Sequence, residues 1–135
     1  MLNLLKERGL TVAAAEPYTG GILASRMTAI DTEMTTFKGA TISHDVLAAS
    51  AAGVPGEVRA STVAAKIRDA HKASVGLAAV APDASDPQPP GTVYLGLAIG
   101  AARHGERIVL PGNRPMMREY AVINLLNFLR KTLVG

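Results

Sequence analysis

The residues from Glu16 to Gly21, Glu-Pro-Tyr-Thr-Gly-Gly, have the composition of a reaction loop that lacks its reactive group. Residues 10–15 before them predict a short buried strand, and residues 22–27 after them predict the first turns of a helix. A turn at such a junction presents backbone N–H groups at a helix N-terminus, where the helix dipole favours an anion. Pro17 has neither a nucleophilic group nor an N–H, so it cannot do covalent chemistry.

Thr19, Gly20 and Gly21 are therefore candidate ligand-binding residues. In one interpretation they form only a tight strand-to-helix turn, in which the glycines satisfy the backbone geometry. In the other they form part of a cradle for an anion or a ribose phosphate. The sequence leaves both open, because folding needs the turn in either case. Glu16 is equally open as a structural acceptor for backbone N–H groups or as a catalytic acid.

Arg114 and Arg118 are the second pair of candidate ligand-binding residues. They are four residues apart at the start of the last predicted helix, so they share one face. Two arginines near a helix N-terminus oppose the helix dipole, which favours acids there. An anion between them would remove that penalty, and the forked guanidinium suits phosphate. The alternative is a solvated helix end in which Glu119 pairs with them.

The other polar residues give no catalytic or metal site. Ser43, His44 and Asp45 are consecutive, so in an extended chain they point to alternate faces and cannot form a triad. His71 and His104 have no ligand at metal-binding spacing, and we expect no metal. The chain has no cysteine, which excludes disulfides and a cysteine nucleophile. We predict no catalytic residue and no cofactor.

Composition predicts one ordinary globular domain over residues 1–135. The formal charge is +3, but the basic residues are scattered and the aromatic ones few, so we expect no binding of nucleic acid. No segment approaches the length of a membrane span and no leader is evident, so we expect no membrane contact and a cytoplasmic location.

Strands and helices alternate along the chain, which predicts an α/β fold: a three-layer α/β/α sandwich with a mixed sheet. A late pair of strands reads as an antiparallel hairpin joined around residues 100–105. The predicted strands are 10–15, 37–43, 75–81, 92–99 and 106–110. The predicted helices are 2–8, 22 to about 30, 46–52, 62–73 with Ser61 as N-cap, and one from Pro115 to about Leu133.

Several short motifs occur in a distinctive order along nearly the whole chain. They are Ala15-Glu16-x-x-Thr19-Gly20-Gly21, Gly39 ahead of Gly53-Val54-Pro55, Pro89-x-Gly91-Thr92-Val93-Tyr94, and Pro111-Gly112-Asn113-Arg114 with Arg118. In this order and spacing the chain resembles the C-terminal domain of CinA, the competence/damage-inducible protein family, and the stand-alone nicotinamide mononucleotide (NMN) deamidases.

The resemblance implies an α/β/α sandwich that hydrolyses the carboxamide of NMN to the acid and ammonia. The family's loop reads Ala-Glu-Ser-Cys-Thr-Gly-Gly with the serine as nucleophile, and here Pro17 and Tyr18 replace Ser-Cys. Its Tyr-Ser-Asn motif with a following lysine corresponds to residues 43–45 and Ala48. Its glycine-rich loop corresponds to residues 78–83, where alanines replace the glycines and Asp83 could contact a ligand, and its next lysine is Gln88.

These replacements lead to three hypotheses. The first is a catalytically impaired CinA-like domain that still binds a phosphorylated pyridine nucleotide, another anion or a partner chain. The second is an active amidohydrolase with re-wired groups, such as Thr19, Ser43 or His44. The third is an assembly module with a vestigial pocket, because the resemblance implies a homo-oligomer. We favour the first, since an amide hydrolase needs a nucleophile and a base, and neither remains at the matching positions.

Overall fold

The computed structural model describes residues 2–42 and 54–134. In chain order the elements are α1 (Leu2–Glu7), β1 (Val12–Ala15), α2 (Ile22–Ile30), β2 (Phe37–Thr41), α3 (Gly56–Ala70), β3 (Val75–Val80), β4 (Thr92–Ile99), β5 (Ala102–Val109) and α4 (Arg114–Val134). The helix predicted at 46–52 lies outside the described residues. In the described part of the chain, no helix is both long and apolar enough to cross a membrane.

The sheet has the strand order β2-β1-β3-β4-β5. Strands β1, β2 and β3 are parallel, whereas β4 runs antiparallel to β3 and β5 antiparallel to β4. The carboxyl ends of β1, β3 and β5 therefore meet at one edge of the sheet. This topology brings the turn at residues 16–21 and the first residues of α4 to the same edge.

The two faces of the sheet carry different side chains because residues alternate along each strand. One face packs large aliphatic residues, such as Leu77 and Leu95, against α1, α2 and α4. The opposite face carries small residues, such as Ala13 and Ala78, and packs against α3. Helices thus cover both faces, and the predicted three-layer α/β/α sandwich with a mixed sheet is confirmed.

Helix α3 lies close to the sheet because a glycine from each of three strands faces it. A β-carbon added at Gly76, Gly96 or Gly105 would lie within 2.2 Å of a backbone carbonyl oxygen of the helix. Those oxygens belong to Ala64, Ala60 and Glu57, respectively. Because these helix residues are three and four apart, they form one face of α3. The three glycines therefore set how closely helix and sheet approach.

Three elements begin at residues other than those predicted. Helix α3 begins at Gly56 directly after Pro55, so Ser61 is not an N-cap; it lies inside the helix, where its hydroxyl donates to the carbonyl of Val58. Strand β5 begins at Ala102 rather than at residue 106, because Gly100 adopts φ 56° and closes a tight turn. The last helix begins at Arg114 rather than Pro115.

The N-cap of α4 is Asn113, whose Oδ1 accepts a 3.1 Å hydrogen bond from the N–H of Met116. Strand β4 has its predicted bounds, whereas β1, β2 and β3 are each shorter than predicted by one or two residues at one end. Strand β5 ends one residue early, at Val109, and α3 ends at Ala70 rather than at residue 73. Strand β1 starts at Val12 and strand β3 ends at Val80.

Candidate functional site

The turn after β1 is built around the carboxylate of Glu16, which is fully buried. Oε1 accepts a 2.7 Å hydrogen bond from the Thr19 hydroxyl and another of 2.7 Å from the N–H of Leu23. Oε2 accepts from the N–H of Ala24 at 3.0 Å. Glu16 thus caps α2 and places a negative charge at the positive end of the helix dipole. The sequence left two interpretations of Glu16 open, a structural acceptor and a catalytic acid. The structural acceptor accounts for all three of these hydrogen bonds.

This cap changes the role of the Thr-Gly-Gly turn. Thr19 is fully buried and its hydroxyl is occupied by Glu16. The N–H of Gly20 donates to the carbonyl of Glu16 at 2.9 Å, and that of Ile22 donates to the carbonyl of Thr19 at 3.2 Å. The N–H groups predicted to face an anion are therefore largely engaged within the turn. Thr19 supports the turn, while ligand binding beside Gly20 and Gly21 stays a prediction.

Gly20 and Gly21 both need left-handed backbone, with φ 63° and 98°. At this bend the start of α4 meets the turn, because Nη1 of Arg118 lies 3.8 Å from the position that a β-carbon on Gly20 would take. The structure therefore brings together Gly20 and Arg118, two candidate residues that are far apart in sequence.

A cleft of about 340 Å³ opens between α2 and α4 at this edge of the sheet. It is lined by Ile22, Arg114, Pro115, Arg118 and Glu119. Both candidate arginines lie on its wall, and both are exposed to solvent. The cleft is large enough for a phosphate group with part of the molecule that carries it.

The alternative in which Glu119 pairs with the two arginines is not observed. Glu119 instead forms an ion pair with Arg26 on α2. Within residues 2–42 and 54–134, no carboxylate lies within 4.0 Å of the guanidinium of Arg114 or Arg118. Two like charges with no described counter-ion therefore stand at the N-terminus of α4, where the dipole opposes them.

Tyr18 is half-buried and packs against the large aliphatic core of the sheet. Burial raises the pKa of its hydroxyl above 10.0, and the positive charges of Arg114 and Arg118 act against that rise. The hydroxyl is therefore protonated at neutral pH and lies within the electrostatic field of both arginines.

Pro17 precedes Tyr18 and is half-buried, at the position where the resemblance places a nucleophilic serine. The positions matched to the family's other catalytic groups, Ser43, His44, Asp45 and Ala48, lie outside the described residues. Asp83 accepts hydrogen bonds from the N–H and the hydroxyl of Ser85, at 3.0 and 2.6 Å. It therefore serves a local turn.

A second cleft, of about 320 Å³, lies at the N-terminus of α3. There the hydroxyl of Tyr94 donates to Oδ2 of Asp86 at 2.5 Å, and Nε2 of Gln88 donates to Oδ1 at 2.8 Å. Burial and the nearby Asp86 raise the pKa of Tyr94 to about 12. Sequence reasoning missed this pair, since no spacing rule links a loop aspartate to a tyrosine on a strand.

His71 packs against Gly39, where a β-carbon would lie 2.5 Å from its ring, so it has a packing role. Among the residues that the structure describes, no three His, Cys, Asp or Glu side chains are grouped to hold a metal ion.

The model of one protein family, described as the CinA C-terminal domain, matches residues 1–133. The chain belongs to this family. Among proteins similar to this CinA domain is the CinA-like protein of Frankia casuarinae, which is 36% identical over 149 residues that cover 100% of this chain. A putative competence-damage inducible protein of Bacillus cereus is 35% identical over 133 residues that cover 87% of it.

Solved structures show the same fold. The competence or damage-inducible protein from Enterobacter asburiae matches with a TM-score of 0.84 and 23% identity, over 97% of this chain and 92% of that one. A CinA superfamily protein from Enterobacter cloacae matches with a TM-score of 0.79 and 26% identity, over 97% and 86%. By contrast, the CinA domain spans only 34% and 32% of the Frankia and Bacillus proteins.

Proposed function

We propose that this CinA domain binds a phosphorylated pyridine nucleotide, or a related phosphate-bearing anion, in the cleft between the β1–α2 turn and α4. We further propose that it does not hydrolyse the carboxamide by the serine-dependent route that the family resemblance implies. A single domain over residues 1–135 and a cytoplasmic location stay predictions.

The observation that carries the binding proposal is the placement of Arg114 and Arg118. Both guanidinium groups lack a described carboxylate partner and line one cleft, and Arg118 also reaches the backbone at Gly20. A cation near a helix N-terminus costs roughly 0.3–1 kcal/mol through the dipole. A phosphate between the two arginines reverses that penalty and accepts forked hydrogen bonds from both.

The absence of the reaction is supported by Pro17, which lies at the family's nucleophile position, and by Thr19, the candidate nucleophile of the re-wired alternative that the structure describes. Pro17 has no reactive atom, and the Thr19 hydroxyl is buried against Glu16 rather than directed at a ligand. In a serine hydrolase, loss of the nucleophile costs about 10⁶-fold in turnover. A re-wired enzyme would then depend on Ser43 or His44.

The binding part is tested by calorimetric titration of the protein with NMN, nicotinic acid mononucleotide and inorganic phosphate. We expect saturable binding of the nucleotides, weakened about tenfold or more by Arg118→Gln. Arg130→Gln is the matched control, because Arg130 is an exposed arginine on the same helix far from the cleft. Equal loss in both variants would mean that only net charge matters, and no binding by the unmodified chain would refute the proposal.

The second proposal is self-association through α2 and α4. It is favoured by two large apolar side chains that remain exposed on these helices, Ile30 at 69% and Ile123 at 45%. Sedimentation equilibrium tests it: we expect a homo-oligomer that Ile30→Lys with Ile123→Lys dissociates. A monomer at all concentrations would refute it.

A further inference from the structure

We propose that the cleft at the N-terminus of α3 binds a small zwitterion, such as a free α-amino acid, with its ammonium group against Glu57 and Asp86 and its carboxylate against Arg107. This cleft lies on the face of the sheet that α3 covers, whereas the cleft with Arg114 and Arg118 lies between α2 and α4. The inference therefore goes beyond the proposed function and does not depend on it.

Three charged side chains line this cleft, and they come from three different elements. Glu57 lies in the first turn of α3, Asp86 in the loop between β3 and β4, and Arg107 on β5. In the described part of the chain, none of the three has a group of opposite charge within 4.0 Å. The cleft thus presents charges of both signs that the described residues do not pair.

Close packing holds two walls of the cleft in place. Tyr94 is buried, and a β-carbon on Gly56 would lie 2.2 Å from its ring, so only glycine fits at the start of α3. A β-carbon on Gly105 would likewise lie 2.2 Å from the carbonyl oxygen of Glu57, so β5 passes close to the first turn of the helix. The charged groups are therefore mounted on a fixed frame, which lowers the cost of ordering them when a ligand binds.

Hydrogen bonds hold the third wall, the loop that carries Asp86. At the start of this loop, Nη2 of the buried Arg59 donates a 2.7 Å hydrogen bond to the carbonyl of Ala81. Asp86 itself accepts from the hydroxyl of Tyr94 at 2.5 Å and from Nε2 of Gln88 at 2.8 Å. These two bonds lower the pKa of Asp86, so its carboxylate is charged at neutral pH. Each of its oxygens can accept a further hydrogen bond, which an ammonium group of a ligand can donate.

The size and charge of the cleft decide among the classes of ligand. Its volume of about 320 Å³ is at the low end of the roughly 300–1,000 Å³ typical of ligand pockets, so it suits a small molecule. A metal ion is disfavoured, because no three metal-binding side chains are grouped among the described residues. The two carboxylates would repel a simple anion, and a simple amine would leave Arg107 unpaired. A molecule with both an ammonium and a carboxylate group pairs with all three side chains.

The test compares L-alanine with two molecules that each lack one of its charged groups. Ethylamine has no carboxylate, and propionate has no ammonium group. Each is titrated into ¹⁵N-labelled protein and followed by NMR of the backbone amides. We expect L-alanine to give saturable shifts at Gly56, Glu57 and Asp86. Ethylamine and propionate should bind about tenfold to a hundredfold more weakly, because each loses charge-assisted hydrogen bonds.

Two pairs of variants test the residues themselves. Arg107→Gln should weaken the binding of L-alanine about tenfold or more, whereas Arg103→Gln, at an exposed position of the same strand outside the cleft, should not. Glu57→Gln should weaken the binding of L-alanine but not that of propionate. Its control is Glu106→Gln, because Glu106 is an exposed acid of β5 that does not line the cleft. Thermal unfolding of each variant checks that it is folded.

The absence of a saturable shift with L-alanine would overturn the inference. So would ethylamine that binds as tightly as L-alanine, because Arg107 would then take no part in binding. Equal weakening in Arg107→Gln and Arg103→Gln would also overturn it. Arg118→Gln should leave the binding of L-alanine unchanged. If nucleotides bind and L-alanine does not, the inference is wrong and the proposed function stands.

Discussion

The hydroxyl of Thr19 donates a 2.7 Å hydrogen bond to Oε1 of Glu16, and neither residue is exposed to solvent. The same carboxylate accepts the N–H groups of Leu23 and Ala24. One buried acid therefore satisfies the start of α2 and holds the turn in shape. This arrangement explains why Glu-x-x-Thr-Gly-Gly is present in a chain that lacks the reactive group.

Replacement of Glu16 by Gln should lower the free energy of unfolding by about 1–3 kcal/mol, because the amide NH₂ would face a backbone N–H with no acceptor between them. Urea denaturation followed by circular dichroism measures the loss. Glu33→Gln, at an exposed site, is the control and should change little. Equal stability of the two variants would show that the cap contributes nothing.

The glycine at position 96 should not tolerate alanine. The added β-carbon would lie 2.1 Å from the carbonyl oxygen of Ala60, so α3 must move away from the sheet. We expect a loss of about 1–3 kcal/mol or more in the free energy of unfolding. Ala102→Ser adds one atom at an exposed position of the neighbouring strand and serves as control. A Gly96→Ala protein as stable as the control would contradict the described helix packing.

Asp31 should make stability depend on pH in the acid range. Hydrogen bonds from the backbone N–H of Phe37 and of Thr36, which outweigh the effect of burial, lower its pKa from 3.8 to about 2. A lowered pKa in the folded state means that the carboxylate stabilises the fold above pH 3.8. That contribution is lost as the pH falls from there towards about 2.

Thermal unfolding of the unmodified protein and of Asp31→Asn, from pH 7 to pH 2, measures this contribution as a difference. The unmodified protein should be more stable by a constant margin at neutral pH, and the margin should shrink below about pH 4. A margin that is unchanged down to pH 2 would contradict the bonding described for Asp31.

Much of the fold follows from local sequence, whereas the site does not. Strands β1, β3 and β4 are apolar runs between turn residues, and helices α2 and α4 carry apolar residues at helical spacing, so the positions of these elements could be predicted. Ser61 was predicted as the N-cap of α3 because its residue type suits that position. Pro55 and the close packing of Gly56 against Tyr94 instead set the start of the helix at Gly56.

The arginines illustrate the limit for the site. Their shared face was predictable from a spacing of four, but the choice of Arg26 by Glu119 depends on how α2 packs against α4. Likewise, Glu16 could be a cap or a catalytic acid until its three hydrogen-bond donors were known. Such pairings are tertiary and leave no periodic signal in the sequence.

Binding without hydrolysis is tested most directly in one NMR sample that contains NMN and an equal amount of the protein. The ³¹P signal reports binding of the phosphate, and the ¹H signals of the pyridine ring report conversion of the carboxamide to the acid. We predict a ³¹P signal that shifts on addition of protein and no ring signals of nicotinic acid mononucleotide over the following day. An unperturbed ³¹P signal, or the appearance of nicotinic acid mononucleotide, would contradict the proposed function.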